Sequence, residues 1–135
     1  MIGIIIITHG NLALELKSAM EYILGTQKNI EIISIKPDDD LKIKKADLEE
    51  AIEKVNENIG TIILTDMFGG TPSNLAMSFL EVGKVEIISG VNLPMLVKLI
   101  GLRDSNDLQK VARESKESAQ KYISIASEIL SENNK

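Results

Sequence analysis

His9 is the only histidine in the 135 residues, and it ends an apolar run, MIGIIIITHGN. Asp66 ends a second such run, TIILTDM. An imidazole and a carboxylate brought together make a nucleophile. The carboxylate accepts a proton from one ring nitrogen, which fixes the tautomer and leaves the other nitrogen free to attack. It also stabilises the cationic ring that exists once a group is attached. An activated phosphoryl group would need no third titratable residue, because its transfer depends on in-line positioning and charge stabilisation.

The segment MFGGTPSN, directly after Asp66, supplies what an anion requires. Gly69 and Gly70 admit positive φ and close backbone approach. Thr71 and Ser73 carry hydroxyls. A helix opening near Pro72 directs free N–H groups and its positive dipole end to the same place. Gly10 leaves room beside the ring for a bulky group. Each residue alone has a structural explanation: a surface histidine, a turn aspartate, a helix start. Their convergence at two strand ends makes them a candidate site.

Other chemistries are excluded or weakly supported. The chain has no cysteine, which removes disulfides, thiol catalysis and thiolate metal sites. One histidine cannot build a multi-histidine metal site. Asp38, Asp39 and Asp40 follow Pro37 and read as a solvated turn leading into a helix, not a cation site. No metal or other cofactor is expected. Neither the G-x-x-x-x-G-K-[ST] phosphate loop nor the G-x-G-x-x-G fingerprint occurs. A net charge of −5 and an aromatic content of 3% argue against a nucleic-acid partner. The run Ile4–Ile7 is too short to cross a bilayer and lacks the flanks of a signal peptide, so a cytoplasmic protein is expected.

The elements that position these residues follow from the hydrophobic patterning. The length suits one domain, and no repeat or linker divides it. Ile2–Thr8 reads as a strand apolar on both faces, hence central in a parallel sheet. Leu12, Leu16, Ala19, Met20 and Ile23 recur at helical spacing up to Gly25. Glu31–Lys36 is a second strand, stopped by Pro37. Leu48, Ala51, Ile52, Val55 and Ile59 mark a second helix, ended by Gly60. Thr61–Thr65 is a third strand. Thr71 is expected to cap a third helix, with Pro72 in its first position. Val85–Ser89 is a fourth strand, and Pro94 opens a short fourth helix. Asp104 or Ser105 then caps one long last helix, with Leu108, Val111, Ala112, Ser115, Ala119, Tyr122, Ile123, Ala126, Ile129 and Leu130 on one face. Tyr22 and Tyr122 are expected to cover edges of the core.

This alternation predicts an α/β fold, a doubly wound, mainly parallel four-stranded sheet with helices on both faces. Such sheets bind ligands beyond the carboxyl ends of the strands, where strand order reverses. With the order 2-1-3-4, the first and third strands are neighbours, roughly 4.8 Å apart. His9 and Asp66 then fall within hydrogen-bonding reach.

Three segments carry a resemblance: ITHGN after the first strand, TDMFGGTPSN after the third and SGVNLPMLVKL after the fourth. Together they resemble the enzyme IIA component of the mannose family of the bacterial sugar phosphotransferase system, from residue 2 to about residue 100. The resemblance implies that His9 is phosphorylated, receiving the group from the phosphocarrier HPr and passing it to a IIB component. The IIC and IID membrane components, which select the sugar, would be served only indirectly. Asp66 matches the carboxylate that holds the histidine, and Thr71 the small hydroxyl of the phosphate-facing loop. A homodimer is implied. Many relatives continue into a fused IIB domain; here residues 1–135 are expected to form a single IIA domain with IIB separate. Some relatives exchange a C-terminal strand between subunits, but the tail KYISIASEILSENNK fits helix better than strand.

Alternatives differ in the chemistry they require. A histidine phosphatase needs an arginine before its histidine and a second histidine, and this chain has neither. A receiver-type domain, phosphorylated on Asp66, would want an acidic pair after the first strand. The phosphotransfer subunit of a dihydroxyacetone kinase system is closer in kind, but GGTP and GVNLPML favour the sugar branch. A flavodoxin-like interaction module would carry no chemistry at His9.

Overall fold

The computed structural model describes residues 1–133. Its elements are β1 (Gly3–His9), α1 (Leu12–Leu24), β2 (Ile30–Ile35), α2 (Leu41–Val55), β3 (Thr61–Thr65), α3 (Thr71–Met77), β4 (Val85–Ser89), α4 (Leu93–Leu102), α5 (Leu108–Lys121) and α6 (Ala126–Asn133). The four strands form one sheet in the order β2-β1-β3-β4, and every pairing is parallel. This is the α/β topology expected from the sequence.

The apolar character of β1 and β3 on both faces accounts for their central place. Ile4, Ile6, Ile62 and Leu64 pack on one side with Met20 of α1, Leu96 and Leu99 of α4 and Val111 of α5. Ile5, Ile7 and Ile63 pack on the other with Leu48 and Val55 of α2 and Ala76 of α3. The sheet is thus enclosed between two apolar layers, and only the ends of its strands are free to carry polar chemistry.

At the amino-terminal end of the sheet, Arg103 is 2% exposed. Its guanidinium donates to the carbonyls of Ile2, Lys28 and Asn29. It supplies donors to the Ile2 and Lys28 carbonyls and shares that of Asn29 with the Ile4 N–H, joining the end of α4 to the start of β1 and the loop before β2.

Several boundaries differ from the sequence reading. The second helix starts earlier, at Leu41, because Asp40 caps it by accepting the Lys42 N–H at 2.9 Å. It ends at Val55, so Ile59 and Gly60 lie in the loop beyond it. Asp107, not Asp104 or Ser105, caps α5, accepting from the Lys110 N–H at 3.1 Å. The expected single last helix is broken: α5 ends at Lys121, and α6 begins only at Ala126. Ile123 and Ile125 between them are β-branched and poorly suited to helix without a surface to pack on. Ile123, Ile129 and Leu130 are exposed rather than core. The tail contains no strand among the described residues, and its last two residues lie outside them. Tyr22 and Tyr122 stand in solvent instead of covering core edges. Tyr22 falls away from the buried Ala13–Met20 stripe, and Tyr122 follows the last turn of α5.

Candidate functional site

β1 delivers His9 as its last residue, and β3 ends one residue before Asp66. Parallel pairing sets Ile7 opposite Thr65, so the two chains leave the sheet side by side. Asp66 Oδ2 accepts the backbone N–H of His9 at 3.0 Å and lies 2.7 Å from its ring Nδ1. Oδ1 accepts the Met67 N–H at 3.0 Å. An ionised carboxylate can only accept, so Nδ1 carries the proton and donates it. Nε2 is left with its lone pair, without a hydrogen-bond partner among the described residues. The His9 side chain is 51% exposed and that of Asp66 12%. Burial raises the Asp66 carboxyl, but the hydrogen bonds from the His9 ring, the His9 N–H and the Met67 N–H outweigh it and hold it below its usual value.

The turn after His9 is fixed from two sides. Gly10 takes φ +54°, a conformation that favours glycine, and donates its N–H to the Ile35 carbonyl at 2.8 Å. Thr8, fully buried, accepts the Ala13 N–H on its Oγ1 at 2.8 Å. It thereby takes over the capping of α1 that the Asn11 side chain does not provide. The sequence reading missed this role, for which the only signal was a buried hydroxyl residue five positions before a helical N–H.

The loop after Asp66 corrects one expectation. Gly70, not Thr71, is the N-cap of α3; Thr71 is its first residue and Pro72 its second. Gly70 is extended and its carbonyl accepts the Asn74 N–H at 2.9 Å, the first bond of the helix, while a Cβ there would lie 2.8 Å from His9 Cε1 and 3.2 Å from Nε2, which favours glycine beside the ring. Gly69 has φ +91°, as the turn requires. Thr71 lines the open hollow beside His9, whereas Ser73 is buried and its hydroxyl has no partner among the described residues. Ser73 is therefore not presented to that hollow as its neighbour Thr71 is.

The hollow encloses about 470 Å³, and besides His9, Gly10 and Thr71 its wall comes from the β2–α2 loop: Ile35, Lys36, Pro37, Asp39 and Leu41. That wall was not foreseen, since a loop's path leaves no periodic trace in sequence. The third singled-out segment lies behind the site. The N–H groups of Gly90 and Val91 both donate to the Thr65 carbonyl, at 2.9 and 3.0 Å, and Thr65 Oγ1 donates to Ser89 Oγ at 2.9 Å. Asn92 caps α4 through the Met95 N–H and donates to the Ala119 carbonyl. These bonds lock the end of β3, and so the origin of Asp66, to β4 and the two helices behind it.

Comparisons with known proteins bear on the family and the fold. A family described as the PTS system fructose IIA component matches residues 3–116. A fructose-specific EIIA component of Bacillus subtilis is 30% identical over 131 residues, covering 96% of this chain and 90% of the relative. A mannose-specific EIIAB component of Escherichia coli K12 is 36% identical over 107 residues; these cover 78% of this chain and 33% of that longer protein. A crystal structure of a phosphotransferase system EIIA component from Streptococcus agalactiae superposes with a TM-score of 0.85 at 26% identity, covering 94% of this chain and 98% of the other.

Proposed function

The chain belongs to the mannose-type enzyme IIA family of the sugar phosphotransferase system, and on that premise we propose that it relays a phosphoryl group through Nε2 of His9. The observation that carries this reading is the 2.7 Å contact of Asp66 with Nδ1, which leaves Nε2 as the nucleophile. Phospho-HPr is the donor and a IIB component the acceptor. The IIC and IID membrane components lie one step further on.

In the reaction, the Nε2 lone pair forms the new P–N bond. The donor's P–N bond breaks, and its electron pair stays on the donor nitrogen. The Nδ1 proton remains between ring and carboxylate, so the ring becomes cationic opposite Asp66. Gly69, Gly70 and Thr71 border the place where the phosphoryl oxygens arrive, and Gly10 keeps the approach open. No resident cofactor takes part. Residues 1–135 act as a single domain in the cytoplasm; among the described residues no helix is long and apolar enough to cross a membrane. The relay works as a homodimer, for which the exposed Tyr22, Ile23, Tyr122 and Ile123 offer apolar surface.

The test is intact-mass analysis after incubation with phosphoenolpyruvate, enzyme I and HPr of the same organism. Wild type is expected to gain one acid-labile phosphoryl group and His9→Ala none. Wild type remaining unmodified beside fully phosphorylated HPr would leave only a binding module.

A further inference from the structure

We propose that Lys36 neutralises the phosphoryl group carried on Nε2 of His9, and so sets how strongly this protein holds that group against its donor. The inference rests on the relay reading above and adds a residue outside all three recognised segments. Lys36 lines the same hollow as His9, Gly10 and Thr71. It directly follows Ile35, the residue paired with His9 in the β1–β2 register, whose carbonyl holds the Gly10 N–H. Lys36 thus stands one residue beyond the strand neighbour of His9.

Gly70 packs against the Cε1–Nε2 edge of the ring so closely that not even a Cβ fits there. A group on Nε2 therefore extends into the open hollow. Asp39, which lines the hollow, and Asp66, which holds the ring, are both engaged. Asp66 is held by His9 and Met67. Asp39 Oδ2 accepts the backbone N–H of Lys36 at 2.7 Å and pairs with Lys44 Nζ at 3.7 Å. Among the described residues, no carboxylate lies within ion-pair distance of the Lys36 ammonium. Of the residues lining the hollow, it is the one with a permanent positive charge. A phosphoryl group brings between one and two negative charges at neutral pH, and an unpaired ammonium is a natural complement to it.

The experiment measures an equilibrium, because a residue that only helps the donor dock would change rates and leave the ratio alone. Purified phosphoprotein is mixed with HPr, and the distribution of phosphoryl groups is read by mass analysis, for wild type, Lys36→Met and Lys36→Arg. Lys36→Met is expected to move the ratio of phosphoprotein to phospho-HPr roughly fivefold toward HPr, as befits one exposed charge pair, while Lys36→Arg restores most of it. Raised salt should narrow the difference between wild type and Lys36→Met. An unchanged ratio in Lys36→Met, with wild type exchanging normally, overturns the role of Lys36 and leaves the relay intact. Failure of wild type to accept or return the group overturns the relay itself and this proposal with it.

Discussion

Asp66 holds His9 twice with one oxygen: Oδ2 meets the ring Nδ1 at 2.7 Å and the backbone N–H at 3.0 Å. The tautomer and the ring's position therefore share a single source. Asp66→Asn keeps the shape and removes the charge that balances a phosphorylated, cationic ring. We expect first-turnover transfer from phospho-HPr, followed by rapid quench, to slow by roughly ten- to a hundredfold, the worth of one charge-assisted hydrogen bond. Unaltered transfer would remove Asp66 from the reaction.

The same carboxyl predicts a dependence on acid. Burial pushes its pKa up, the bonds from His9 and Met67 pull it down, and the net direction is down. A folded pKa below the unfolded one means that the unfolded chain takes up protons first as pH falls. The stability contributed by Asp66 is then full above its ordinary value of 3.8 and is lost as pH falls through the lowered folded value. In urea unfolding, the margin by which wild type exceeds Asp66→Asn should shrink as pH falls below about 5, through the range in which the Asp66 carboxyl takes up its proton. A margin that grows as pH falls below about 5 would contradict the sign.

Gly70→Ala isolates sterics at the nucleophile. With φ −91° and ψ 176°, position 70 suits alanine as well as glycine, so backbone strain is not at issue. The nearest atoms to the added methyl are those of the Cε1–Nε2 edge of His9 and, less closely, Pro72 Cδ. Melting should change little, while phosphoryl uptake falls by roughly a hundredfold, as misplacement of a reacting atom by about an ångström predicts. Loss of folding in step with loss of uptake would show that the glycine serves the fold instead.

Arg103→Met acts at the other end of the sheet. It removes the guanidinium from the carbonyls of Ile2, Lys28 and Asn29, of which Asn29 keeps the Ile4 N–H, and equilibrium unfolding should show a loss of about 3 kcal/mol. The rate of phosphoryl transfer per folded molecule should not change. A transfer defect without destabilisation would link this cluster to His9 directly.

Strand order and the His9–Asp66 pair were legible because both rest on strong signals: β1 and β3 are apolar on both faces, and each leads at once into a polar residue. Which ring nitrogen is free was not legible, since it depends on the angle at which Asp66 meets the ring. Lys36 and Leu41 went unnoticed because the β2–α2 loop folds toward His9 along a path that no periodicity records. The break after Lys121 was hidden by Ile123, Ala126, Ile129 and Leu130, whose helical spacing is genuine but meets no packing surface. Thr71 was misplaced as a cap because Gly70 caps α3 through backbone alone, its carbonyl accepting the Asn74 N–H, and carries no side chain to mark it.

The guanidinium of Arg103 ties three segments at the pole of the sheet farthest along the strands from His9. Substitutions that suit the opposite pole to a new partner thus fall on loops that take no part in that knot. Such a division lets lineages of this fold diversify in whom they serve while the knot that keeps them folded stays as it is.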